Sequence, residues 1–296
     1  MTFNEGGQFE GGRVRKGGGR RGAVAAGGGG GIAIVIALVY MLVTGNSPQD
    51  ILGGTTSGGG DTGEAGYIGE CTAEQANTDP ECRLNAAVQS LDAYWATTLP
   101  EQGGIEYQMP EVVSFTDAVD TGCGSATSST GPFYCPADTT VYEDLAFYDQ
   151  LSSQFGAEGG PLAEMYVTAH EFGHHIENQL GLFERADRSG TGPESDSVRI
   201  ELMADCLAGM WAGTAATTED PDTGVTFLEP IERAELEQAL SAAAAVGDDN
   251  IQRRSGGEVN PEAFSHGSSE QRVKWFTTGY NGGTIQDCNA LDASSL

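Results

Sequence analysis

The sequence predicts an α+β fold, mostly helical, with a small β-sheet or hairpin and one transmembrane helix ahead of it. Three observations predict it. Apolar residues recur at helical spacing in several long segments, as Leu84, Val88, Leu91 and Trp95 do. Short runs of β-branched and aromatic residues, Val112 to Phe115, Phe133 to Cys135 and Thr140 to Tyr142, sit between turn-forming residues. Finally, Ala23 to Thr44 carry no charge and end in the apolar run Ile32 to Val43.

Residues 1–22 are rich in Gly and Arg and are expected to be a disordered cytoplasmic tail. Residues 23–45 follow as a transmembrane anchor, long enough at about 1.5 Å per residue to cross the hydrocarbon core, although Gly27 to Gly31 weaken its first half. Arg13, Arg15, Lys16, Arg20 and Arg21 outweigh Glu5 and Glu10, which keeps the N-terminus cytoplasmic and sends the rest outward. A cleaved signal peptide is the rival reading. No Ala-x-Ala site follows the run, so the expectation is an uncleaved single-pass anchor in the cell membrane with an extracytoplasmic domain. Residues 46–69 read as a flexible linker of Gly, Ser, Thr and Asp, and residues 70–296 as one folded domain with its own core.

Within that domain Arg83 to Leu99 is a helix ended by Pro100. Val112 to Phe115 is a strand, and residues 133–142 form a hairpin around Pro136, Ala137 and Asp138. Glu143 to Phe155 and Leu162 to Leu180 read as helices, the second stopped by Gly181. A loop over Ser189 to Glu194 leads to a helix N-capped by Ser197 and running through Gly209. Two more helices cover Ile231 to Val246 and Ser268 to Tyr280.

The formal charge of −29 repels nucleic acid and anionic lipid surfaces, so neither is an expected ligand. All six cysteines follow the apolar run, as disulfides outside the cytoplasm require. Six cysteines allow about 15 pairings. Nearness in sequence favours Cys71 with Cys82 and Cys123 with Cys135, leaving Cys206 for Cys288. No CxxC spacing supports a cysteine-ligated metal.

Three of the four histidines stand in His170-Glu171-Phe172-Gly173-His174-His175. On a helix, His170 and His174 share one face and can offer two imidazole nitrogens to one metal ion, with Glu171 beside it to take a proton from water. This is the HExxH arrangement of zinc hydrolases. A catalytic zinc takes three protein ligands and leaves one position for water. The metzincin position for a third histidine is Leu180, which excludes that subclass. Glu201 and Asp205 lie one turn apart in the apolar stretch Ser197 to Gly209. Two acids facing a core are costly unless a cation meets them. Glu201 is therefore the expected third ligand, and Asp205 the acceptor for the distal N–H of a ligand imidazole. A solvated helix face, or pairing with Arg199, is the plainer account of these acids, and HExxH alone arises by chance on amphipathic helices. The uncharged flanks Val167 to Ala169 and Ile176 favour a buried metal helix. One Zn2+ per chain is expected.

The blocks VTAHEFGHHIENQLG, VRIELMADCLAGMW and FSHGSSEQRVKWFTTGY, with CGSATSSTGPFYCPADTTVYEDLAFYDQL upstream, resemble the neutral zinc metallopeptidases found widely in bacteria. They cover most of Cys71 to Cys288 in the right order, and no resemblance is seen before Cys71. The resemblance implies a zincin-like, gluzincin-type domain. In gluzincins a strand edge beside the metal helix holds the extended substrate, and the 133–142 hairpin is the candidate here.

For catalysis, Glu171 is the general base that moves a proton from water to the departing amine. The oxyanion needs a donor besides the metal. His266, between Phe264 and Ser269, is the first candidate, with Tyr134, Tyr142 and Tyr280 behind it. The plain alternative is a loop histidine ahead of a Ser-capped helix. His175 falls roughly 140° off the metal face and reads as a packing group. The expected function is a membrane-anchored zinc peptidase acting on peptides or proteins outside the cytoplasm. Two rivals are a non-catalytic envelope-binding protein on the same fold, which has no use for Glu171, and a zinc amidase acting on cell-wall peptides.

Overall fold

The structure is a computed structural model and describes residues 3–17 and 66–296. Its architecture is mixed α/β. Eight strands and ten α-helices lie among the described residues. In chain order they begin with β1 (Gln8–Phe9), β2 (Arg15–Lys16) and β3 (Cys71–Thr72), then α1 (Ala73–Thr78) and α2 (Pro80–Thr98). The strands β4 (Glu111–Phe115), β5 (Ala118–Thr121), β6 (Gly124–Thr127), β7 (Phe133–Cys135) and β8 (Thr140–Asp144) follow. The remainder is helical: α3 (Phe147–Ser153), α4 (Pro161–Gln179), α5 (Leu182–Arg185), α6 (Asp196–Thr214), α7 (Arg233–Ala245), α8 (Asp248–Arg254), α9 (Ser269–Tyr280) and α10 (Ile285–Cys288).

The main sheet has the order β2-β4-β8-β7, parallel across its first three strands and antiparallel between β8 and β7. The expected hairpin is its β7–β8 end, with Tyr134 opposite Val141. β8 runs on to Asp144 because β4 pairs it as far as Phe115 opposite Asp144, so the helix expected from Glu143 starts only at Phe147. α4 and α6 pack against each other at the centre, with α2, α7 and α9 around them. Leu162, Met165, Phe172 and Ile176 of α4 meet Leu202, Met203 and Trp211 of α6 in one core, and burying each such side chain stabilises by about 1.5–3 kcal/mol. The Trp211 indole donates to Ser90 Oγ at 3.0 Å, fixing α6 on α2.

Two glycines set the helix spacing. A Cβ on Gly173 of α4 would stand 2.9 Å from the Ala204 Cα of α6, and one on Gly279 of α9 would overlap the Cys206 carbonyl oxygen. Larger residues would hold both pairs of helices apart. The three disulfides pair as nearness suggested: Cys71–Cys82, Cys123–Cys135 and Cys206–Cys288. The last ties α6 to α10.

The N-terminal expectation is corrected. Residues 3–17, read as part of a disordered tail, lie on the folded body. Phe3, Phe9 and Val14 are buried, and β1 pairs antiparallel with β3. Arg13 Nε and Nη2 bond Asp92 at 2.6 and 3.3 Å, and Nη2 donates to the Pro110 carbonyl at 2.8 Å. Composition missed this because three apolar side chains, two ion pairs and strand pairing, rather than average hydrophobicity, hold the segment. The expected anchor fails with it. Among the described residues no helix is long and apolar enough to cross a membrane, and the 23–45 segment lies outside them. A single span between residues 17 and 66 would put these two stretches on opposite faces of a membrane, whereas they pair side by side. The single-pass fold and the membrane localisation with a cytoplasmic N-terminus are therefore both overturned.

Candidate metal centre

Helix α4 starts with Pro161 at its first turn and ends at Leu180, where Gly181 takes the left-handed conformation (φ 71°). Its i,i+4 spacing brings the His170 and His174 rings edge to face with centroids 4.7 Å apart. Helix α6 starts earlier than expected. Ser195, not Ser197, is the N-cap, accepting from the Val198 N–H, while Ser197 Oγ donates to the Gly190 carbonyl. Glu201 thus lies in its second turn, facing α4.

The two helices bring three donors together. His170 Nε2 is 3.3 Å from Glu201 Oε2, and His174 Nε2 is 3.6 Å from Glu201 Oε1. The ligand atoms of these three residues lie within 4.8 Å of one another. Tetrahedral zinc with bonds of about 2.0–2.1 Å spaces its donors by about 3.3–3.4 Å, and the two imidazole-to-carboxylate separations match that spacing. Each imidazole is fixed from behind. Asp205 Oδ1 meets His170 Nδ1 at 3.0 Å, and Glu177 Oε2 meets His174 Nδ1 at 2.8 Å. With the Nδ1 protons committed to carboxylates, both Nε2 lone pairs face the centre.

Arg272 of α9 closes the cluster from above Asp205, donating from Nε to Oδ2 at 2.8 Å and from Nη2 to Oδ1 at 2.9 Å. The Tyr166 hydroxyl donates to the same Oδ1 at 2.5 Å. Asp205 is fully buried, yet Arg272 and His170 hold its carboxyl below the ordinary range against the opposite pull of burial. Burial lowers His174 to about 3, whereas Asp205 and Glu201 outweigh burial at His170 and lift it to about 9. Glu201 is pushed up by burial but pulled further down by the two imidazoles.

Glu171 is buried next to this set, and the Tyr134 backbone of β7, the outer strand of the main sheet, favours its charged form. Burial pushes its carboxyl up to about 7. His266 lines the same cleft, which encloses about 510 Å³. Asp248 organises its loop, one oxygen accepting from the backbone N–H groups of Ser265, His266 and Gly267 and the other meeting His266 Nδ1 at 3.2 Å. Among the described residues the His266 Nε2 has no hydrogen bond. Of the tyrosines considered, Tyr134 lines the cleft, but its hydroxyl is held between His175 Nδ1 and Asn178 Nδ2. Tyr142 bonds Asp138, and Tyr280 stacks on Phe276. His175 makes packing and hydrogen-bond contacts, with Nε2 2.6 Å from the Gln108 carbonyl oxygen.

Four residues escaped the sequence reading: Glu177, Arg272, Tyr166 and Asp248. Glu177 carried a readable signal, an acid three residues after His174 and inside an apolar helix. Arg272 carried another, since it stands one turn before Phe276 on the buried side of an amphipathic helix.

The family described as "Putative neutral zinc metallopeptidase" matches residues 4–291. The chain belongs to this family. The match reaches far upstream of Cys71, where the sequence showed no resemblance, and takes in the docked segment 4–17. An uncharacterized protein of Mycobacterium tuberculosis strain H37Rv is 46% identical over 230 residues, 77% of each chain, and its counterpart in Mycobacterium bovis matches equally. The uncharacterized protein YpfJ of Escherichia coli K12 is 42% identical over 199 residues, 66% of each chain. No solved structure matches.

Proposed function

We propose that this chain is a zinc-dependent peptidase whose single Zn2+ is held by His170, His174 and Glu201. The observation that carries the reading is the convergence of two Nε2 atoms and one carboxylate, each imidazole backed by its own buried acid. Zinc bound there would acidify a water molecule and polarise the scissile carbonyl.

The chain's own groups do the rest. Glu171 takes the proton from the attacking water and delivers it to the leaving amine, and a carboxyl lifted toward 7 suits both halves of that transfer. His266, fixed at Nδ1 by Asp248, donates to the negative charge developing on the carbonyl oxygen. The free edge of β7 is where an extended peptide would lie, next to the base. Three disulfides suit an oxidising compartment.

The test uses a mixed peptide library and metal analysis together. Wild type should carry one zinc, cleave the library, lose activity to chelator and regain it with zinc. Glu171→Gln should keep the zinc and the fold and lose hydrolysis by at least about a hundredfold. Full activity in that variant, or a zinc-loaded wild type that cleaves nothing, would end the proposal.

A further inference from the structure

We infer that Arg188 is a specificity residue that binds a substrate carboxylate, so that the preferred peptides carry a free C-terminus or an acidic side chain close to the scissile bond. The inference rests on the peptidase reading above and adds a substrate class to it. Arg188 lies in the loop between α5 and α6 and lines the cleft that holds His170, Glu171, His174 and Glu201. Its guanidinium carbon sits 4.3 Å over the Phe183 ring, and that ring is 6.2 Å from the His174 ring. Those two steps span at most about three residues of extended chain at about 3.3 Å each.

Stacking on Phe183 fixes the guanidinium plane and leaves its edge for a bidentate acceptor. No acceptor is supplied from within. Arg188 forms no ion pair among the described residues, and its Nη1 is closed off from water without a hydrogen-bond partner. The other guanidinium in the cleft, Arg272, has Nε and Nη2 bonded to Asp205 and Tyr166 and Nη1 3.8 Å from Glu201 Oε2. Glu177 attracts Arg188 electrostatically but spends Oε2 on His174, and its Oε1 is itself unpartnered. A buried donor without an acceptor is costly, and a carboxylate arriving with substrate removes that cost. The chain's overall charge of −29 works against acidic ligands at long range, so any preference for them has to come from this local cation.

Binding can be read without turnover in the full-length, zinc-loaded Glu171→Gln protein. Fluorescence anisotropy would compare a dansylated pentapeptide ending in a free carboxylate with its C-terminal amide. A second pair, both amidated, would carry Glu or Gln among the last three positions. At least one carboxylate peptide should bind tenfold more tightly than its neutral partner, and the two pairs distinguish a C-terminus from a side chain. Arg188→Ala on the same background should bring the ratio below two. Arg188→Lys should keep part of it, and Arg188→Glu should invert it. Equal affinities within both pairs, no measurable binding, or a ratio that survives Arg188→Ala overturns the inference. So does a variant that changes only zinc affinity, since Arg188 would then serve as a counter-charge for Glu177. A carboxylate preference in binding together with a wild type that hydrolyses none of the peptides would sink the peptidase reading and leave this assignment standing.

Discussion

Replacing Arg13 with Met separates a docked N-terminal segment from a free tail. Methionine keeps the apolar stem and removes the guanidinium, so the change falls on the bonds to Asp92 and the Pro110 carbonyl. The two side chains are only 18% and 13% exposed, a largely but not fully buried pair whose loss falls at the low end for buried ion pairs. Removing one partner of such a pair costs about 3 kcal/mol, because the other charge stays behind without compensation. Burial already pushes the Asp92 carboxyl up, and Arg13 is what pulls it back, leaving only the Tyr107 hydroxyl in the variant. The sign with pH follows. In the variant the Asp92 pKa rises further, so the penalty is full where the carboxylate would be charged and fades as falling pH protonates it. Urea denaturation should therefore show a loss of about 3 kcal/mol near pH 7.5 and a clearly smaller one near pH 4.5. A substitution in a disordered tail would stay within about 0.5 kcal/mol at both. No loss at pH 7.5 would refute the docking of residues 3–17, and an equal loss at both pH values would refute the charge argument.

Glu177→Leu should weaken zinc binding by about ten- to a hundredfold in a chelator competition, since the His174 ring loses the acid that orients it, while stability to urea holds or improves. Glu143 lies fully buried at the end of β8, where burial and the nearby Glu171 lift its carboxyl to about 8. Its contribution to stability is whole below its unfolded pKa and lost as pH rises through 8. Wild type should give up on the order of 4 kcal/mol between pH 5 and 9, and Glu143→Gln should flatten that slope in urea titrations. Gly173→Ala should push α6 away from α4 and lower zinc affinity by about tenfold without altering any ligand, alongside about 1–3 kcal/mol of lost stability. Unchanged affinity there would mean that the helix spacing does not set the position of Glu201.

The centre was legible where periodicity alone carries information. His170 and His174 share a face by spacing, and Glu201 with Asp205 stood out as two acids inside an apolar segment; the structure brings all four together. The disulfides were legible because two pairs close short loops and the third is what remains. What failed depends on partners far along the chain. Arg272 reaches Asp205 from 67 positions away, and nothing local announces that contact. β8 continues through Glu143 and Asp144 although both are polar, because β4 supplies a parallel partner. The parallel pairing of β2 with β4 joins segments about a hundred residues apart, and Gly- and Arg-rich flanks hid Phe3, Phe9 and Val14 from any reading of composition. The anchor expectation rested on one uncharged run and on the charges before it, and Arg13, Arg15 and Lys16 among those charges lie on the folded body.

The centre also loads the fold with charge that the fold must carry. Glu171, Glu177 and Asp205 are buried, Glu201 is nearly so, and the cation bonded directly among them is Arg272. Burial and mutual repulsion raise Glu177 far above the ordinary carboxylate range, with Glu201, Asp205 and Glu171 all contributing. Packing apolar residues into the same volume would be the more stable choice. A divalent cation offsets that cost directly, so zinc should stabilise folding in proportion to the logarithm of its concentration over Kd. The cross-link from Cys206 sits one residue after Asp205 on the helix that carries Glu201, and a loop spanning 82 residues contributes about 4–5 kcal/mol by chain entropy. That stabilisation acts by restricting the unfolded chain, so it offsets the repulsion between buried acids without needing the ion.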